Sequence, residues 1–420
     1  MAEIKAEARR GMLAEGPFTR AIMHPAIDGG SEMNVIGGYL GRALRAVVVL
    51  CTGLWPEPTL LAEVAEASEG PGSILRVWPL EGGGPGNSEA FRILYRSTGL
   101  NGQPIEVSGA IYWNPGPAPA GGRNVIAWAH PTSGVVQACA PSLMPDNAGM
   151  IWGLADILAK GYVVVATDYP GLGTPGIHPY LIGISEARAV LDSVRAARAL
   201  PNTGASNRFA VWGHSQGGHA ALYTGELAAS YAPELKLVGV AAAAPATYLA
   251  ELFDADKETA TGKELTAMTI YSWSKLYNTP ATTLVEPGAM GPFEQMAHDC
   301  IESVAEFKAI TDAEKPLQTE KFLKADPTET EPWRGIMLRN TPGQAPAGAP
   351  VFIAQGTADT TVHPEITKKF GEALCKQGAR VDFIWLKGVS HTFAAKDSAR
   401  QTLAWMGDRF RGAPAPSSCR

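Results

Sequence analysis

From about residue 69 onward the sequence predicts an α/β fold: a mostly parallel, doubly wound sheet with an inserted helical cap. Three observations carry this prediction. Short apolar runs alternate with amphipathic helical stretches, the pattern of strands buried on both faces beneath crossover helices. The alternation stops between residues 247 and 345, where helical stretches joined by Pro and Gly contain no evident strand, and then resumes. A Gly-x-Ser-x-Gly pentapeptide, residues 213–217, stands at one strand-to-helix junction.

Bulk properties narrow the alternatives. The chain has 420 residues, 45% of them hydrophobic, enough for one large domain or two ordinary ones. The 46 Gly and 32 Pro follow no collagen-like period and mark turns. The 41 acidic and 35 basic side chains leave a formal charge of −6 with no basic run, which argues against a nucleic-acid partner. No apolar run reaches the roughly 18 residues of a membrane-spanning helix. No obligate protein partner is evident.

Residues 1–32 show no periodicity. Residues 33–67 contain Arg42 and Arg45, an apolar stretch over 46–55 and the small-residue triplet Ala65-Glu66-Ala67, which is the order of a secretory signal. Translation from Met33 would bring the basic residues near the start. The expectation is a secreted or periplasmic protein; without export the segment is an amphipathic helix of a cytoplasmic one. Loss of Cys51 with this segment leaves Cys139, Cys300, Cys375 and Cys419, an even number that suggests two disulfides in an exported chain. Four buried thiols are the alternative. None of the cysteines has metal-ligand spacing and the eight His are scattered, so no metal or other cofactor is expected.

The domain organisation follows. Residues 1–67 form an N-terminal extension, 68–246 and 346–411 the α/β core, 247–345 the helical cap and 412–420 a tail. Strands are expected at 73–79, 90–97 and 105–113, then at 125–130, 162–168, 208–212, 237–243, 351–354 and 381–386. Helices are expected at 150–160, 184–200, 219–231, 364–377 and 392–410. In the cap the helical stretches are 250–268, 293–310 and 314–323.

The chemistry gathers at strand ends. In Gly213-His214-Ser215-Gln216-Gly217-Gly218 an apolar strand turns sharply into a helix. Such a turn lifts the serine hydroxyl clear of the backbone, and glycines on either side let strand and helix approach. Ser215 is the candidate nucleophile. A serine needs a base held by a carboxylate. Asp359 and His391 follow the ends of two successive later strands, where doubly wound sheets place their sites. The backbone N–H of Gln216 and that of Thr132, in His130-Pro131-Thr132-Ser133-Gly134, are the candidate oxyanion donors, with Ser133 the runner-up. His130 reads as ordering that loop, His214 and His219 as packing, and Asp168 and Tyr169 as shaping the pocket. His363 competes as base but has no downstream acid of its own.

Several separate segments resemble the secretory lipase family, lipase A-type α/β-hydrolases of fungi with bacterial relatives. They are 92–98, Val107-Ser108-Gly109, 129–134, Cys139-Ala140-Pro141-Ser142, 168–173, 213–218 and 355–359. The resemblance covers roughly residues 70–410. It implies an α/β-hydrolase core, a Ser215–Asp359–His391 triad and a helical cap before the acid. It implies action on carboxylic esters, from triglycerides to short acyl esters, with transient contact of the cap with a lipid interface. The family's two disulfides imply the pairings Cys139–Cys300 and Cys375–Cys419. The family often has His-Gly-Thr where this chain has His130-Pro131-Thr132. Acyl transfer or amide hydrolysis by the same triad is the alternative activity, and a non-catalytic binding protein of this fold a remote one.

Overall fold

The structure, a computed structural model, describes residues 70–301 and 322–419. The signal-like segment 33–67 and most of the expected helices at 293–310 and 314–323 lie outside the described residues.

Among the described residues nine strands form one sheet: β1 (Ile74–Pro79), β2 (Glu89–Thr98), β3 (Pro104–Trp113), β4 (Arg123–Ala129), β5 (Val163–Thr167), β6 (Ala205–His214), β7 (Lys236–Ala243), β8 (Val351–Gly356) and β9 (Val381–Leu386). Their order is β1-β2-β3-β5-β4-β6-β7-β8-β9. The first three strands are an antiparallel meander attached to β5, and every pairing from β5 onward is parallel. The order reverses beside β4, which is flanked by β5 and β6. Open α/β sheets bind their ligands at the carboxyl ends of strands at such a reversal.

Burial explains the continuous apolar runs. In β5 the side chain of Val164 enters one hydrophobic cluster while Val163 and Val165 enter the other, and all three are fully buried. Each such side chain contributes about 1.5–3 kcal/mol relative to exposure. One face of the sheet is covered by α2 (Gly183–Ala199), α3 (Gln216–Tyr231) and α8 (Pro364–Lys376). The other is covered by α1 (Leu154–Ala159) and α9 (Ala394–Phe410), with Trp128 of β4 and Trp212 of β6 meeting edge to face at 5.0 Å. The expected doubly wound sheet is therefore present.

Between β7 and β8 lie α4 (Leu249–Asp256), α5 (Ala260–Leu276), α6 (Met290–Ala297) and α7 (Trp333–Arg339). Among the described residues the only strand-like pairing there is the single bridge Val285–Leu323. The helix expected over 250–268 is two helices: the first ends at Asp256, and Thr259 caps the second by accepting the Gly262 N–H at 2.9 Å. The helix expected at 150–160 begins only at Leu154, after Gly153 takes a left-handed φ of 74°. Helix α7 was not expected. Both expected disulfides are formed, Cys139–Cys300 and Cys375–Cys419. The second pins the tail to α8.

Candidate active site

Strand β6 delivers Ser215 directly into α3, which starts at Gln216 rather than three residues later as expected. Ser215 adopts φ 57° and ψ −118°, a left-handed backbone that a non-glycine residue holds only under constraint. A Cβ on Gly213 would stand 1.9 Å from the carbonyl oxygen of Gly217, and one on Gly217 would stand 1.9 Å from that of Ala129. Strand, turn and helix therefore touch through bare backbone.

His391 stands beyond the end of β9 and Asp359 beyond the end of β8. The Ser215 hydroxyl donates to His391 Nε2 at 2.9 Å, and His391 Nδ1–H donates to Asp359 Oδ2 at 2.9 Å. All three residues are buried. Asp359 Oδ1 accepts the N–H groups of Thr361 and Val362 at 3.0 and 2.8 Å. The amide of Gln355 donates to Asp359 Oδ2 at 3.0 Å and to the Val362 carbonyl at 3.0 Å. Burial alone would push the Asp359 carboxyl up, but His391 and these N–H donors hold it below the usual carboxylate range. The structure thus brings the three sequence-predicted residues together in one hydrogen-bonded line.

Thr132 follows β4, whose Ala129 is in register with Gly213 of β6. It lines the same cavity as Ser215 and His391. Its hydroxyl is paired with the Tyr180 hydroxyl at 2.8 Å, where either oxygen can donate. Tyr180 is in turn held from α5, through Ser272 Oγ to its N–H and Trp273 Nε1 to its carbonyl. Gln216 is the first residue of α3, so no carbonyl of its own helix can accept its N–H.

The remaining candidates have other tasks. His214 Nε2–H donates to the His391 carbonyl at 2.9 Å, and burial together with the nearby His391 pushes its imidazole down to about 3. His130 Nδ1–H bonds the Pro131 carbonyl at 2.6 Å, which orders the loop as expected. Asp168 and Tyr169, expected to shape the pocket, line neither of the two cavities that meet at Ser215. Asp168 instead gathers the Ser108 hydroxyl and the Ser142 backbone, and Tyr169 donates to the His130 carbonyl at 3.2 Å. His363 pairs with Asp256 at 3.1 Å, not with Ser215. Gln355, Tyr180, Glu186 and Asn340 were missed; only Gln355 carried a signal, as a polar residue closing an apolar strand.

Two cavities meet at Ser215. One, of about 40 Å³, runs under Leu249, Leu252, Phe253 and Val362 with Asp256 among its walls. The other, of about 70 Å³, is lined by Thr132, His391, Met150, Trp152 and Ile301. Leu265 and Thr361 line both. Burial pushes the Asp256 carboxyl up to about 6 against the opposing pull of His363.

A serine on a strand-to-helix elbow, with acid and base after later strands of a doubly wound sheet, defines the α/β-hydrolase class. The chain belongs to the secretory lipase family, whose model matches residues 149–418. Lipase A of Moesziomyces aphidis is 28% identical over 172 residues, 38% of this chain and 36% of that protein, so the match spans little more than a third of that relative's length. The secreted triacylglycerol lipase LIP7 of Malassezia globosa is 25% identical over 79% of this chain and 73% of that protein. The X-ray structure of Candida antarctica lipase A in its closed state has a TM-score of 0.71 at 18% identity, covering 84% of this chain and 86% of that one, which shows a shared fold.

Proposed function

We propose that the protein is a serine carboxylic ester hydrolase, an esterase or lipase, that works through an acyl-enzyme on Ser215. The observation that supports this reading is the hydrogen-bonded line Ser215–His391–Asp359 at the junction of two cavities. Ser215 Oγ attacks the ester carbonyl while its proton passes to His391 Nε2. The N–H groups of Gln216 and Thr132 hold the oxyanion. His391 returns the proton to the departing alkoxide, which leaves as alcohol. Water then attacks the acyl carbon, gives its proton to His391, and the carboxylic acid leaves as Ser215 regains the proton. Asp359 keeps the proton of the resting imidazole on Nδ1 and stabilises the imidazolium.

The leaving alcohol needs a proton from His391, so the cavity that contains His391 is the alcohol side. The apolar cavity next to Gln216 is then the acyl side. We assign residues 247–345 as a cap whose helices α4 and α5 roof the acyl side. Export is supported by the two disulfides and by relatives named as secreted lipases. The test is turnover of p-nitrophenyl esters from acetyl to palmitoyl beside the Ser215→Ala variant. The variant is expected to fold and to lose about 10⁵–10⁶-fold in kcat. Retained turnover overturns the mechanism.

A further inference from the structure

Behind the elbow lies a group of buried polar side chains that this reaction does not touch. Glu186, in the first turn of α2, and His219, in the first turn of α3, are both fully buried. Glu186 Oε2 stands 2.6 Å from His219 Nδ1, and Glu186 Oε1 accepts from the Gln216 side-chain amide at 2.9 Å. His219 Nε2 faces the backbone carbonyl of Asn340 at 2.8 Å. A carbonyl only accepts, so Nε2 carries a hydrogen. Two lone pairs do not approach to 2.6 Å, so a further proton lies between Nδ1 and Oε2. The pair is imidazolium with carboxylate, or imidazole with carboxylic acid; either way it is neutral as a unit.

Other titratable groups surround that unit. Burial pushes the imidazoles of His130 and His178 down, the latter to about 4, and the hydroxyls of Tyr169, Tyr180 and Tyr223 up. Burial likewise raises the Glu226 carboxyl, against the pull of His219. His178 donates from Nδ1 to the Pro170 carbonyl at 2.9 Å, which leaves Nε2 to accept from the Gln216 amide at 3.1 Å. The Gln216 side chain is thus held by two acceptors.

The same residue carries the proposed oxyanion donor on its backbone. The peptide joining Ser215 to Gln216 has its carbonyl held by the N–H groups of His219 and Ala246 at 3.1 and 3.2 Å. A planar trans peptide points its N–H opposite to its carbonyl. Fixing the carbonyl and the Gln216 side chain therefore leaves the N–H one direction. A bare carboxylate this close would oppose a developing oxyanion in a water-poor site. The shared proton cancels that field and still leaves Gln216 a strong acceptor.

We propose that Glu186 and His219 are positioning residues, a charge-neutral brace that aims the Gln216 N–H at the reacting carbonyl oxygen and ties it to the segment after α7. Asn340 makes the tie. Its carbonyl takes the His219 bond, its side-chain oxygen accepts the Gly183 N–H of α2 at 3.2 Å, and its amide donates to Ile336 of α7 at 3.0 Å. The proposal rests on the reading of Ser215 as nucleophile and Gln216 as oxyanion donor.

The experiment measures kcat and KM for p-nitrophenyl butyrate and its thionoester in wild type, Glu186→Gln, His219→Asn, the double variant and Gln216→Met. His219→Asn leaves a carboxylate beside the oxyanion and is expected to lower kcat about tenfold to a hundredfold with KM within about twofold. Adding Glu186→Gln to it removes that charge and restores part of kcat. A purely structural role makes the double variant as slow or slower. Thiocarbonyl sulfur accepts hydrogen bonds weakly, so the oxo-to-thiono rate ratio falls along with kcat. Gln216→Met changes no charge, cuts the link and lowers kcat, which keeps the test alive if His219→Asn does not fold. An unchanged kcat in Gln216→Met, or a double variant no faster than His219→Asn, overturns the proposal. Ester turnover that survives Ser215→Ala overturns instead the reading beneath it.

Discussion

Ser215 holds a left-handed backbone that costs on the order of 1–3 kcal/mol, and contacts without β-carbons around it sustain that geometry. Replacing Gly217 by Ala forces a Cβ to within 1.9 Å of the Ala129 carbonyl oxygen. Such a variant is expected to lose more than about 2 kcal/mol in urea unfolding and its ester turnover with it. Asp359→Asn is milder for the fold but reverses a donor: the amide can no longer only accept from His391 Nδ1. Its kcat is expected to fall by about 10⁴, with a circular dichroism spectrum like that of wild type. Ser215, Asp359 and His391 were legible because each lies just past an apolar strand, where position in the sequence becomes position in space. Glu186 was not legible. An acid in the first turn of a helix reads as an exposed dipole partner, and only the packing of α2 against α3 buries it beside His219.

Helix α5 does more than cover the site. Its Leu265 belongs to both cavities, and its Ser272 and Trp273 hold the tyrosine that engages Thr132. Leu265→Ala is expected to join the two cavities and shift kcat/KM toward bulkier acyl groups, read as a ratio along a p-nitrophenyl ester series. An unshifted ratio removes Leu265 from the determinants of specificity. The sheet elements were legible because period-two and continuous apolar runs are strong signals between Gly and Pro punctuation. The elements between β7 and β8 were less so. Apolar residues at helical spacing run through 250–268, and the break depends on one threonine choosing a backbone N–H over solvent. Helix α7, seven residues long, is too short to show a period of its own.

For the whole molecule, pH acts through histidines locked in the neutral form. His214 is pushed down to about 3 and His178 to about 4, with His130 also lowered, all chiefly by burial. The unfolded chain takes protons at these positions near pH 6.5, so it binds more of them than the native state. Stability is therefore full above pH 6.5 and drains as pH falls toward 4. Asp256, raised to about 6 by burial, works in the opposite direction over the lower part of that window. The melting temperature is expected to be lower at pH 4.5 than at pH 7.5, with a shallower dependence in His214→Gln, which keeps a donor for the His391 carbonyl. Equal melting temperatures at the two values would contradict the buried-neutral assignment.

The Cys139–Cys300 link closes a span of 161 residues, and the next residue, Ile301, donates its N–H to the Ser133 carbonyl at 2.9 Å, one position past Thr132. The wall of the cavity that contains His391 and the loop carrying Thr132 are therefore cross-linked. Reduction of the disulfide removes that covalent tie and leaves the Ile301–Ser133 hydrogen bond between the two segments.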